Sequence, residues 1–222
     1  MIPIIAGIDE AGKGAVLGPL VISGVSVEEN KLKKLKELKV RDSKEISHKR
    51  RIFLSDEIEK IAKDIIVVKV GACKIDNYKK MGINLNRLET MKFADIINYL
   101  GSHKTYIDAY EANTKKLKTV LERMTKNGSE LIVENYADKN HLIVGAASII
   151  AKVEREKEIE KLRKKHKFDG SGYPSDERTV QWLKTVLEKK SEFPDCVRRT
   201  WATSEILDGQ HKQKTIFSWF RK

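Results

Sequence analysis

Asp9 and Glu10 close one short apolar run, Ile4-Ile5-Ala6-Gly7-Ile8, and Asp108 closes another, Thr105-Tyr106-Ile107. Asp138 precedes the small-residue segment Gly145-Ala146-Ala147-Ser148. Functional groups of α/β proteins gather where loops converge at strand ends, so these four acids are the first candidates for chemistry. Carboxylate oxygen is the donor that hard divalent cations such as Mg²⁺ take. Two such ions on shared carboxylates activate water and neutralise the leaving oxygen of a phosphodiester. Successive strand residues point to opposite faces, so Asp9 and Glu10 share one site only if the strand breaks at Glu10. Gly12 and Gly14, just beyond, make such a break an expectation. Any one acid alone reads more simply as a helix cap or a surface charge; four at these places favour a metal site.

The elements that must position these acids follow from periodicity. The apolar run to Ile8, the turn Ala11-Gly12-Lys13-Gly14 and the segment Val16 to Val27 predict an antiparallel hairpin. Helical spacing of Phe53, Leu54, Ile58 and Ile61 predicts a helix over Arg50 to Ala62, and residues 64–71 (DIIVVKVG) read as a strand. Asn84 to Leu100 and Ala112 to Met124 read as helices, Thr105 to Asp108 and Glu130 to Val133 as strands. His141 to His166 is the longest predicted helix, and residues 177–189 form another after the loop Phe168-Asp169-Gly170-Ser171-Gly172-Tyr173-Pro174-Ser175-Asp176. The expectation is an α/β chain with a mixed sheet of five strands flanked by helices, and a small helical C-terminal unit. The domains expected are 1–167 for the sheet, 168–209 for the helical unit and 210–222 for a flexible tail.

Composition narrows the class. The chain has 222 residues, 44 basic and 32 acidic, a formal net charge of +12. No apolar run approaches the roughly 20 residues that span a bilayer, so no membrane association is expected. Residues 2–8 lack the basic leader of a signal peptide. Cys73 and Cys196 form neither a disulfide framework nor a zinc motif, which points to a reducing, cytoplasmic setting. The positive excess suits a polyanion, nucleic acid being the commonest. Between Lys31 and Arg51 alone, ten basic residues stand against Glu37, Asp42 and Glu45. A basic protein with an acidic centre is a sensible nuclease, with Lys and Arg on phosphates and acids on metal.

Four motifs resemble type 2 ribonuclease H: residues 7–14 (GIDEAGKG, with Gly18-Pro19-Leu20 after), 40–44 (VRDSK), 146–153 (AASIIAKV) and 170–176 (GSGYPSD). They stand in one order over residues 4–201. The resemblance implies a ribonuclease H-like fold and hydrolysis of RNA–DNA hybrids, and of ribonucleotides embedded in duplex DNA, leaving a 5′-phosphate and a 3′-hydroxyl. It assigns Asp9, Glu10, Asp108 and Asp138 as catalytic carboxylates holding two Mg²⁺ or Mn²⁺ ions. Gly12, Lys13 and Gly14 fall on the loop that reads the ribose 2′-hydroxyl, the group that separates RNA from DNA. Tyr173 falls on the tyrosine that packs on the sugar, and Ser43, Lys44, Ser148, Lys152 and Arg155 fall near phosphate-contacting positions. For Lys152 and Arg155 a solvated helix charge is the competing reading. Lys13 stands where many members carry Arg and where type 3 enzymes carry Lys. Asn135-Tyr136 replaces a common His-Lys, and Leu142 a frequent proline. His141 reads as a helix-start histidine rather than a proton carrier.

Residues 213–220 (QKTIFSWF) resemble the peptide that docks on a sliding clamp of the proliferating cell nuclear antigen type. Helical spacing would bring Ile216, Trp219 and Phe220 to one side, with Gln213 reaching a second pocket. The expected partners are therefore an RNA-containing duplex and a clamp, for a monomeric protein. The alternatives are a type 3-like enzyme needing runs of ribonucleotides, and a clamp-associated binder without catalysis.

Overall fold

The computed structural model describes residues 2–40, 46–190 and 192–219, with side chains to residue 213. Ser43, Lys44 and Phe220, and the side chains of Ile216 and Trp219, lie outside what is described. The elements in chain order are β1 (Ile4–Ala11), β2 (Leu20–Glu28), α1 (Leu32–Glu37), α2 (His48–Ile61), β3 (Asp64–Val70), α3 (Ala72–Lys80), α4 (Leu85–Leu100), β4 (Lys104–Asp108), α5 (Thr114–Met124), β5 (Glu130–Glu134), α6 (Ala137–Asn140), α7 (Leu142–His166), α8 (Glu177–Lys190) and α9 (Ala202–Trp219). The strands form one mixed sheet in the order β3-β2-β1-β4-β5. Strand β1 is antiparallel to β2, with Asp9 beside Ser23, and parallel to β4, with Ile8 beside Ile107. Strand β5 runs parallel to β4 and sets Glu134 beside Asp108. Asp9 and Asp108 thus leave adjacent parallel strands at the same end. Among the described residues, no helix is long and apolar enough to cross a membrane.

The sheet departs from its sequence reading at one instructive place. The run from Val16 looks like strand, yet β2 begins at Leu20. The backbone before it is satisfied elsewhere: Val16 and Leu17 N–H both donate to the Gly172 carbonyl, Gly18 N–H to Cys196, and Arg198 N–H to the Val16 carbonyl. These residues are drawn from the sheet ladder by the C-terminal part of the chain.

The chain forms two compact units that interleave along the sequence. The first comprises Met1–Ala11, Val21–Lys69 and Asn84–Glu154, and the second Gly12–Leu20, Val70–Ile83 and Arg155–Lys222. The first unit's core packs Ile5, Val25 and Val27 of the sheet against Leu54 and Ile58 of α2 and Val144, Ala147 and Ile150 of α7. The second has its own core, in which Val16 and Leu17 join Ile159, Phe168, Leu183, Leu187 and Val197. The residues expected as a tail continue α9, whose backbone runs helical through Gly209 to Trp219.

Candidate active site

In the first unit, the site depends on how closely α7 lies on the sheet. A Cβ on Gly7 would come within 2.4 Å of the Ile143 carbonyl oxygen, so only glycine allows this approach of β1 to the helix. The Ser23 hydroxyl donates to the Ala147 carbonyl at 2.6 Å and ties β2 to the same helix. Gly7 faces α7, and strand alternation turns Asp9, two residues on, the same way. There the buried Ser148 hydroxyl bonds the Asp9 carboxylate, and Lys152 Nζ donates to Ser148 Oγ at 2.9 Å. Ser148 and Lys152 therefore stand behind Asp9 as a relay, with Lys152 half-buried.

Asp9, Asp108 and Asp138 converge: each offers a carboxylate oxygen, and the three lie within 4.8 Å of one another. Burial first, then the charge of Glu10 and that of Asp108, hold the Asp9 carboxyl well above the usual carboxylate range, against the Ser148 hydroxyl and the Glu10 N–H that favour its ionised form. Asp108 Oδ1 accepts the Ala137 N–H at 2.9 Å, which fixes its carboxylate against the start of α6. Tyr136, in the left-handed region at φ 60°, turns the chain into that helix and so delivers Asp138 to the cluster. Asp138 is buried, and its Oδ1 has no hydrogen-bond partner among the described residues. An uncompensated buried carboxylate oxygen beside two more carboxylates is costly without a cation. The set of hard oxygen donors fits a divalent ion.

Glu10 is placed differently. Strand β1 continues through Ala11, so the expected break at Glu10 does not occur, yet Glu10 exerts on Asp9 a larger charge effect than Asp108 does. The Glu10 charge also reaches Tyr110, whose hydroxyl is pushed up to about 12, chiefly by burial. His141 pairs with Glu134 at 2.8 Å and stacks on Tyr106, with ring centroids 4.3 Å apart. That is the structural role expected of a helix-start histidine.

The second unit holds the glycine loop and Tyr173. Gly12 sits at φ +86°, and a Cβ there would meet Arg155 Nε at 2.4 Å. Arg155 is buried, with its guanidinium 4.5 Å over the Tyr173 ring and Nη2 donating to the Ser171 carbonyl at 3.1 Å. It backs Tyr173 and is not a solvated helix charge. The loop is held from the other end by Asp176, which accepts the Ser171 N–H at 2.6 Å and the Arg178 N–H at 3.1 Å. These bonds hold the Asp176 carboxyl down to about 2. The residue missed in the sequence is Arg198. It lies deep in this unit, and its three donors are spread over carbonyls of residues 12–18. No local pattern announces a contact across so much chain.

A basic chain whose mixed sheet brings three carboxylates together at the ends of adjacent parallel strands has the makings of a divalent-metal site that acts on phosphodiesters. The family model "Ribonuclease HII" matches residues 6–204. The ribonuclease HII of Pyrococcus furiosus is 40% identical over 224 residues, covering 98% of this chain and 99% of that one. The ribonuclease H2 crystal structure from Pyrococcus horikoshii superposes with a TM-score of 0.89 at 37% identity, covering 95% and 99% of the two chains. A complex of PCNA with RNase HII from Archaeoglobus fulgidus superposes with a TM-score of 0.83 at 40% identity, covering 89% and 95%. The chain belongs to the ribonuclease HII family and is a metal-dependent endoribonuclease.

Proposed function

We propose that the chain cuts RNA strands in RNA–DNA hybrids, and cuts 5′ of single ribonucleotides in duplex DNA, leaving a 5′-phosphate and a 3′-hydroxyl. The observation that carries this is the Asp9, Asp108 and Asp138 cluster, with its orphaned buried oxygen on Asp138. These three residues and Glu10 would hold two Mg²⁺ or Mn²⁺ ions. When bound, such ions activate water and neutralise the developing charge on the leaving oxygen. The protein's own share is orientation. The Lys152–Ser148 relay aims Asp9 and favours its ionised form against the burial that opposes it, and the Ala137 N–H fixes Asp108.

In the second unit, backbone groups of Gly12, Lys13 and Gly14 read the ribose 2′-hydroxyl, and Tyr173, stiffened by Arg155, packs on the sugar. Ser43 and Lys44, with Ser148, Lys152 and Arg155, serve phosphate binding directly or by holding the groups that do. Residues 213–220 would bind a sliding clamp, as the Archaeoglobus complex does with PCNA. The enzyme works as a cytoplasmic monomer.

The test is cleavage of a labelled DNA duplex carrying one ribonucleotide, with Mg²⁺ or Mn²⁺, beside Asp9→Asn and Asp108→Asn. One cut on the 5′ side, absent from both variants, is expected. Cleavage only of a long RNA–DNA hybrid would move the reading to a type 3-like enzyme. Binding without cleavage of either substrate would leave a clamp-associated binder.

A further inference from the structure

Arg198 is 0% exposed, an unusual position for a guanidinium. Its Nη2 donates to the Gly12 carbonyl at 2.7 Å, Nη1 to Lys13 at 2.8 Å and Nε to Gly18 at 3.2 Å. The Trp201 ring covers its Cζ at 4.8 Å. The turn that carries it is itself fastened. Buried Asp76, on α3, accepts the Arg199 N–H at 2.8 Å, the Thr200 N–H at 3.2 Å and the Thr200 hydroxyl at 2.7 Å. Lys79, one helical turn further on, donates to the Thr200 carbonyl.

The peptide bond gives this clamp a direction. The described residues hold no cis bond, and in a trans peptide the C=O of one residue and the N–H of the next point opposite ways. With the Gly12 and Lys13 carbonyls drawn onto Arg198, the N–H groups of Lys13 and Gly14 point away from it. A Cβ on Gly14 would meet nothing within 4 Å, so the loop presents bare backbone on that side. We infer that Arg198 is a positioning residue, fastened by Asp76, that sets the amides of Lys13 and Gly14 for recognition of the ribonucleotide. The inference rests on the reading that residues 12–14 meet the ribose. It assigns α3 a purpose: to hold the Arg198 turn.

The test measures binding, with divalent metal withheld, to a duplex carrying one ribonucleotide and to the same duplex in DNA alone. Arg198→Lys keeps the charge but cannot serve three divergent carbonyls, so the preference for the ribonucleotide duplex falls by about tenfold, with all-DNA affinity unchanged. Asp76→Asn lowers the preference in the same direction, and millimolar guanidinium ion restores part of it to Arg198→Ala. In the wild-type protein, the ribonucleotide duplex slows exchange of the Lys13 and Gly14 amides more than the all-DNA duplex does. This last readout needs no variant to fold. Gly14→Ala, tolerated by the fold, separates the two ideas. If it loses the preference while Arg198→Lys and Asp76→Asn keep theirs, the positioning role of Arg198 is overturned and loop recognition stands. If Gly14→Ala keeps the preference and the two amides exchange alike on both duplexes, loop recognition fails, and the role of Arg198 with it.

Discussion

Asp9 carries a sharp electrostatic conflict. Its folded-state carboxyl ionises well above the unfolded value, so ionisation opposes folding. The sign follows: the cost is absent below about pH 4, where both states are protonated, grows as pH rises toward the folded value, and levels off above it. Asp9→Asn removes that cost while keeping an oxygen for the Ser148 hydroxyl and the Glu10 N–H. In metal-free protein at pH 7, Asp9→Asn is therefore expected to melt above the wild type, by roughly 2–4 °C for each kcal/mol relieved. The advantage vanishes toward pH 4. Cleavage falls on the order of 10³-fold or more, because carboxylates that act as one unit fail together. Melting curves in EDTA at two pH values, beside single-turnover rates, check both halves; a variant that melts no higher at pH 7 contradicts the assigned conflict.

At the scale of elements, close packing puts the acids in register. Gly7→Ala places a methyl against the Ile143 carbonyl and must lift α7 from β1, at a cost of about 1–3 kcal/mol. Ser148 and Lys152 ride on the same helix, so activity is expected to fall further than the fraction of unfolded protein explains. Rates measured well below the melting temperature decide this. Asp176→Ala removes the acceptor at the start of α8 and the anchor of Ser171, and costs about 0.5–2 kcal/mol at pH 7. The wild-type carboxyl titrates near 2, so its contribution is full above about pH 4 and lost as pH falls toward 2. The gap between the two proteins closes over that window in urea titrations. Long elements with clear periodicity were legible in the sequence, among them α2, α4 and α7 with their core faces. Helix α1 was hidden in its run of lysines. Helix α3 has nine residues and only a short apolar face, while α9 beyond Gly209 read as a tail because that glycine and its basic neighbours look like a helix stop. The acids at strand ends were legible by type and place. That β1 runs unbroken through Glu10 to Ala11 was not, because Gly12 and Gly14 suggest an earlier break.

At the scale of the whole molecule, a chain of net charge +12 carries a cluster of three acids, two of them buried, so attraction to phosphate and the hold on divalent cations fall to different residues. The C-terminal peptide proposed for the clamp lies on another element, since residues 213–219 belong to the backbone of α9. Deleting residues 213–222 is expected to abolish retention on an immobilised clamp and to leave cleavage of short duplexes within about twofold, as an appended helical ligand requires. Clamp binding that survives the deletion refutes the assignment. The Arg198 clamp also orders events during synthesis. Its bonds reach back 180 to 186 residues, to the turn after the first strand. At 5–20 residues per second the ribosome needs roughly 10–40 s to cover that distance. For all of that time residues 12–18 exist without the group that shapes them. A nascent chain can thus complete its sheet and gather its acids before its glycine loop takes shape, and residue 198 must be made before that loop has its clamp.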